Sequence, residues 1–120
     1  MKKVLIVEDD PNMLNFYARA IESLGHVALR SSNGRRALAV LEDNSDIAFV
    51  ITDVMMPEMD GRQFVQAVRS NDRYDDVPIL IVSGAIRARD ISELLEIGAT
   101  YFMPKMTPLK EVKKLIQEHI

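Results

Sequence analysis

Apolar residues in this chain follow two rhythms that alternate along its length. Short runs rich in β-branched residues stand at Val4-Leu5-Ile6-Val7, Ile47-Ala48-Phe49-Val50-Ile51-Thr52 and Ile79-Leu80-Ile81-Val82. Weaker ones occur at Val27 to Arg30 and Thr100 to Met103. Runs of this kind mark strands buried on both faces of a parallel sheet. The first is expected at about Lys3 to Val7, the third at about Ala48 to Thr52, and the fourth opens at Pro78 and ends at Val82. Between the runs the apolar positions recur at helical spacing. Leu14, Tyr17, Ala18, Ile21 and Leu24 share one face of a helix from about Pro11 to Leu24. Ala37, Leu38 and Leu41 face inward on a second helix, and Phe64, Val65 and Val68 on a third. A fourth helix, about Ala88 to Ile97, uses Ile91, Leu94 and Leu95; a last one starts at Pro108 with Leu109, Val112 and Ile116.

The punctuation agrees with these elements. Asp10 can cap the first helix, with Pro11 at the first helical position, where its missing N–H costs nothing. Asn33 can cap the second, and Gly25 and Gly98 stop the first and fourth. Asp53 to Gly61 holds Met-Met-Pro and Asp-Gly and reads as a loop. Strand and helix alternate five times with no linker or repeat. The expected fold is therefore α/β: a single doubly wound (βα)5 domain over residues 1–120. Its length of 120 residues fits one domain, and a 48% hydrophobic composition is enough for a core. A net charge of −3 argues against direct nucleic-acid binding by this domain. There are no cysteines, hence no disulfide framework or thiolate metal site. No apolar run approaches the ~18 residues of a membrane span. A cytoplasmic domain without membrane contact is expected.

Chemistry gathers where four of these runs end. The first runs into Glu8-Asp9-Asp10, the third into Asp53, the fourth into Ser83-Gly84, and Tyr101-Phe102-Met103-Pro104 into Lys105. Ligands of open α/β sheets bind outside the carboxyl ends of the strands. A strand order of 2-1-3-4-5 makes the first and third strands neighbours, so Glu8, Asp9 and Asp53 meet. Carboxylates that close resist ionisation, and a hard divalent cation such as Mg²⁺ resolves the conflict. Three carboxylates, one Mg²⁺ and Lys105 sum to zero charge, so an incoming phosphoryl group is attracted. Asp53 can then act as a carboxylate nucleophile. Each feature taken alone has a plainer reading: the acidic triplet as a helix N-terminus, Asp53 as a turn starter, Lys105 as a solvated lysine. Four such accidents at one end of four strands are harder to accept. His26 and His119 have no metal-ligand spacing.

These residues resemble a known family. Val4-Leu5-Ile6-Val7-Glu8-Asp9-Asp10, Asp53 to Gly61, Val82-Ser83-Gly84 and Gly98 to Lys105 are similar to the motifs of receiver domains of two-component response regulators, across essentially the whole chain. The resemblance implies the flavodoxin-like sheet of order 2-1-3-4-5 and a phosphorylation-activated signalling switch. Asp53 would be the phosphoacceptor, charged by a histidine kinase or phosphotransfer protein. Asp9 would bind Mg²⁺ directly, Glu8 through water, and the backbone carbonyl of Met55 would be a further ligand. Ser83 and Lys105 would contact the phosphoryl group. Phe102 falls at the aromatic switch position, and with Ser83 it would reshape the surface of the fourth helix, fifth strand and fifth helix. The output would pass to an attached domain or a separate protein target, from a monomer or a phosphorylation-dependent dimer. Ile91, Lys110 and Lys113 are candidate contacts there.

Met106 departs from the family, which usually has Pro directly after the lysine, commonly with a cis bond. A cis bond before a non-proline costs ~3 kcal/mol, so a trans path or a strained loop is expected here. Uncharged Met55 and Ala85 beside the site imply an acyl phosphate that lasts minutes or longer. A Mg²⁺-dependent phosphatase usually carries a second acid two residues after its nucleophile. That position is Met55, which disfavours this reading; the chain is expected not to be an enzyme. A flavin carrier is poorer still, because an acidic first loop repels the flavin phosphate. A receiver-like interaction domain that works without phosphate is disfavoured by the retained Glu8, Asp9, Asp53, Ser83 and Lys105.

Overall fold

Lys3–Val7 forms β1, and its alternate residues divide between two cores: Leu5 and Val7 face one, Val4 and Ile6 the other. That division explains the unbroken apolar run, since both faces of the strand are covered. The computed structural model describes residues 1–56, 59–84 and 88–120. After β1 come α1 (Pro11–Ser23), β2 (Val27–Ser31), α2 (Gly34–Asp43), β3 (Ile47–Asp53) and α3 (Gly61–Arg69). A short 3-10 turn at Asp72–Tyr74, β4 (Ile79–Ser83), α4 (Ala88–Glu96), β5 (Tyr101–Pro104) and α5 (Leu109–His119) complete the order. The strands are parallel, in the order β2-β1-β3-β4-β5.

One core lies under α2, α3 and α4 and is built on Val50, Ile81, Phe64, Val68 and Leu94. The other lies under α1 and α5, on Ile51, Leu80, Tyr17, Ile21 and Ile116. The caps form as their residues dictate. Asp10 accepts from the Asn12 N–H, and Asn33 from the Arg36 N–H at 2.9 Å. Gly25 ends α1 at φ +84°, a conformation that costs glycine little. Asp60 and Gln63 close a capping box on α3, a reciprocal pair the sequence reading did not single out.

Two apolar expectations do not hold. Leu95 and Leu109, placed on the apolar stripes of the fourth and last helices, are 43% and 38% exposed. On α4 only Leu94 turns fully inward. Leu109 is the first residue of α5, ahead of the turn that buries Val112. Tyr74, on the unpredicted 3-10 turn, is buried instead, and its hydroxyl donates to the Leu41 carbonyl.

Candidate functional site

Parallel register decides which side chains reach the carboxyl edge together. Asp53 closes β3 opposite Val82, and Ser83 closes β4 opposite Pro104. Lys105 follows directly, its N–H donating to the Ser83 carbonyl at 3.1 Å. Glu8 leaves β1 with its N–H on the Ser31 carbonyl at 3.0 Å. The chain after β3 is folded back tightly: the Gly61 N–H donates to the Val54 carbonyl at 2.8 Å. A Cβ on Gly61 would collide with the Asp53 carbonyl oxygen and lie 2.8 Å from the Val54 Cα. This close approach requires glycine.

The side chains converge. Lys105 Nζ donates to Glu8 Oε1 at 2.8 Å and to Asp53 Oδ2 at 2.9 Å. The Val54 N–H donates to Asp53 Oδ1 at 2.7 Å. Glu8, Asp9 and Asp53 each offer a carboxylate oxygen within 4.8 Å of the others. Glu8 and Asp53 are buried, and Asp9 is exposed. Burial first, then the neighbouring Asp53 carboxyl, pushes Glu8 up to about 8, against the pull of Lys105. Burial alone would lower Lys105; its hydrogen bonds to Glu8 and Asp53 more than offset that and hold it above its ordinary range. Glu8 Oε2 is buried with no hydrogen-bond partner. Three clustered acids, one of them with an orphaned oxygen, form an oxygen donor set suited to a hard cation.

Ser83 is buried and borders, with Val54, Met55 and Asp60, an open cleft of about 200 Å³ beside the acids. The Met55 side chain is 75% exposed. Ala85 lies outside the described residues, as do Pro57 and Glu58 of the Asp53-to-Gly61 motif. Phe102 is half-buried against the core under α4, beside a crevice too narrow for water. No peptide bond among the described residues is cis, and Met106 stands 91% exposed in the turn after Lys105. Ile91 and Lys113 are half-buried and Lys110 is exposed. No helix among the described residues is long and apolar enough to cross a membrane.

Sequence reasoning missed three features, two of them near this edge. Arg62 and Glu93 form an ion pair at 2.7 Å between α3 and α4. Arg69, at the far end of α3, binds the carbonyls of Tyr74 and Val77 ahead of β4 and of Gly98 just past α4. Tyr17 is buried close enough to feel the charges of Glu8, Lys105 and Asp53, although burial is the main cause of its raised pKa. None of the three belongs to a short motif; only the tertiary fold brings the partners together.

A family profile described as response regulator receiver domain matches residues 4–117. The chain is 34% identical over 113 residues to a chemotaxis protein CheY homolog of Campylobacter jejuni, covering 91% of this chain and 87% of that protein. It is 30% identical to chemotaxis protein CheY1 of Helicobacter pylori, covering 95% of each. The structure of Vibrio cholerae chemotaxis protein CheY4 superposes with a TM-score of 0.93 at 29% identity, covering 100% of this chain and 99% of that one. These findings correct one expectation. Receiver domains accept a phosphoryl group and have weak autophosphatase activity, so the expectation that the chain is not an enzyme does not stand. Fold, acidic pocket and relatives lead to one conclusion: the chain belongs to the response regulator receiver domains and is a CheY-like receiver of two-component signalling.

Proposed function

We propose that Asp53 is the phosphoacceptor of this domain, which spans residues 1–120, and that Mg²⁺ bound by Glu8, Asp9, Asp53 and the Met55 carbonyl accompanies the reaction. The donor is a phosphohistidine on a histidine kinase or phosphotransfer protein in the cytoplasm. The observation that carries this reading is the shared ammonium: Lys105 bridges Glu8 and Asp53 at 2.8 and 2.9 Å. A carboxylate oxygen of Asp53 attacks phosphorus. The P–N bond to the donor breaks, its electron pair returns to the imidazole, and the imidazole takes up a proton. Glu8, Asp9 and Asp53 would hold the Mg²⁺, which when bound would supply positive charge for the phosphoryl group. Lys105 already sits on the Asp53 carboxylate, so its charge would need little reorganisation as charge develops beside it. The Val54 N–H holds the Asp53 carboxylate in one orientation.

Product recognition falls to Ser83 and Lys105. Phosphorylation adds nearly two negative charges and three acceptor oxygens. The Ser83 hydroxyl donates to one of them, and Phe102 turns toward the space that the hydroxyl leaves. That couples Asp53 to the face of α4, β5 and α5, where an output domain or a separate protein target docks.

Beryllofluoride with Mg²⁺ tests the reading. NMR of the wild-type protein is expected to show shifts at Asp53, Ser83, Phe102 and along α4, all absent in Asp53→Asn. Shifts that stay at the acidic pocket would remove the switch from the account, and an unperturbed wild-type spectrum would remove the acceptor.

A further inference from the structure

Among the helices, α4 has the fewest buried residues. Only Leu94 of its nine is buried, whereas α3, of the same length, buries Gly61, Phe64, Val65 and Val68. The crevice bordered by Ile81, Ile91, Leu94 and Phe102 runs beneath it, and atoms lining such a gap lose part of their packing attraction. Apolar packing therefore holds α4 weakly, and two arginines of α3 supply polar ties.

These arginines, Arg62 and Arg69, are two helical turns apart and share a face of α3. Arg69 Nε donates to the Gly98 carbonyl at 2.9 Å, just past the end of α4. Its other nitrogens reach the carbonyls of Tyr74 at 2.6 Å and Val77 at 2.7 Å. Gly98 has φ +124°, and a Cβ there would collide with the Arg69 side chain. This tie is multiple, short and partly buried. Arg62 makes the other tie, one ion pair to Glu93 in the middle of α4, with both side chains well exposed. Arg62 is the second residue of α3, where the helix dipole disfavours a cation. Its charge therefore does nothing for α3 and has its use at Glu93. Both partners line the cleft that also holds Ser83 and Met55.

We propose that α4 is a hinged and latched arm: Arg69 pins its C-terminal end to α3, and the Arg62–Glu93 ion pair holds it in the resting position until its Ser83 end is pulled. The release step rests on the reading of Asp53 as acceptor and Ser83 as phosphoryl ligand. Lever lengths favour release. Measured from Gly98, Glu93 lies about 7.5 Å and Ala88 about 15 Å along a helix. A shift of about 3 Å at Ala88 thus moves Glu93 by about 1.5 Å, which takes a contact of this length past the roughly 4 Å limit of an ion pair. An exposed pair is worth about a two- to fivefold shift in an equilibrium, enough to bias a switch without locking it.

Amide exchange and beryllofluoride binding, measured on Arg62→Gln, Glu93→Gln and the swap Arg62→Glu with Glu93→Arg, test the latch. Both single variants are expected to exchange α4 amides about two- to fivefold faster without phosphate, while α3 and β4 stay protected. Arg62→Gln should not lower the melting temperature, because it removes a cation from a helix N-terminus. Both single variants should bind beryllofluoride with Mg²⁺ about two- to fivefold more tightly, and the swap should return both readouts to wild type. Arg69→Lys keeps the charge but loses the fork, and should speed exchange at Ile97 to Ala99. Wild-type α4 exchange in both single variants would overturn the latch, as would unchanged beryllofluoride affinity in variants of a wild type that binds it. A wild type that does not bind beryllofluoride would sink the phosphoacceptor reading instead, and α4 exchange alone would then decide the latch.

Discussion

Buried at 1% exposure between Lys105 and Asp53, the Glu8 carboxyl keeps its proton up to about pH 8 in the metal-free protein. Its ordinary value is 4.5. The folded chain thus binds this proton more tightly than the unfolded chain does. Across the window from about 4.5 to 8, rising pH favours unfolding, and the loss levels off above it. Lys105 is shifted upward and stays charged throughout that window, so it does not cancel the slope. Urea unfolding in chelator at several pH values should show stability falling from pH 5 to pH 8, and Glu8→Gln should flatten that part of the profile. Metal must displace the same proton. Mg²⁺ affinity, followed by titration calorimetry, should weaken by up to about tenfold per pH unit below about 8. Lys105→Ala should fold, since the lysine is a charge partner and not core, yet lose phosphorylation-driven change at α4. Normal switching in that variant would count against its role. The acids, the serine and the lysine were legible in the sequence because each ends an apolar run. The elevated proton affinity of Glu8 was legible only in outline, from the crowding of acids. Its size depends on burial and on the closeness of Asp53, which only coordinates supply.

At the level of elements, strands and caps could be read directly because their signals are local. Asp10, Asn33 and Gly25 act on neighbouring residues, and the sequence places those neighbours. Helix faces were read less well. Periodicity finds an apolar stripe, but the partner surface decides which edge of it is covered. On α4 the fully covered residue is Leu94, and Leu95 stands 43% exposed at the rim of the crevice. Leu94→Ala should cost about 2–5 kcal/mol of unfolding free energy, and Leu95→Ser no more than about 0.5. Equal losses in thermal or urea unfolding would restore the sequence assignment. The 3-10 turn at Asp72–Tyr74 escaped because it is short and its buried Tyr74 serves a partner on α2. Gly61 shows an element positioning the site: α3 begins against the backbone of Asp53 and Val54. Gly61→Ala should cost about 1–3 kcal/mol through overpacking and slow phosphorylation more than Leu95→Ser does. An acceptance rate equal to wild type would show that Asp53 tolerates displacement.

For the whole molecule, the strand order was inferable because chemistry and topology constrain each other. Glu8 and Asp53 belong together only if β1 and β3 are adjacent, and 2-1-3-4-5 makes them so. The ties between α3 and α4 were not inferable, since Arg62, Arg69, Glu93 and Gly98 are separated by a strand and a turn. What the fold accomplishes is to bring one ammonium and three carboxylates, from three chain segments, to one edge of the sheet. Covalent labelling of that edge tests this most directly. The intact protein is incubated with acetyl phosphate and Mg²⁺, and the modified residue is mapped by mass spectrometry. One hydroxylamine-sensitive phosphoryl group on Asp53, abolished by chelator and by Asp53→Asn, is the predicted result. A metal-loaded, folded protein that takes no label, or takes it equally well in Asp53→Asn, would contradict the account.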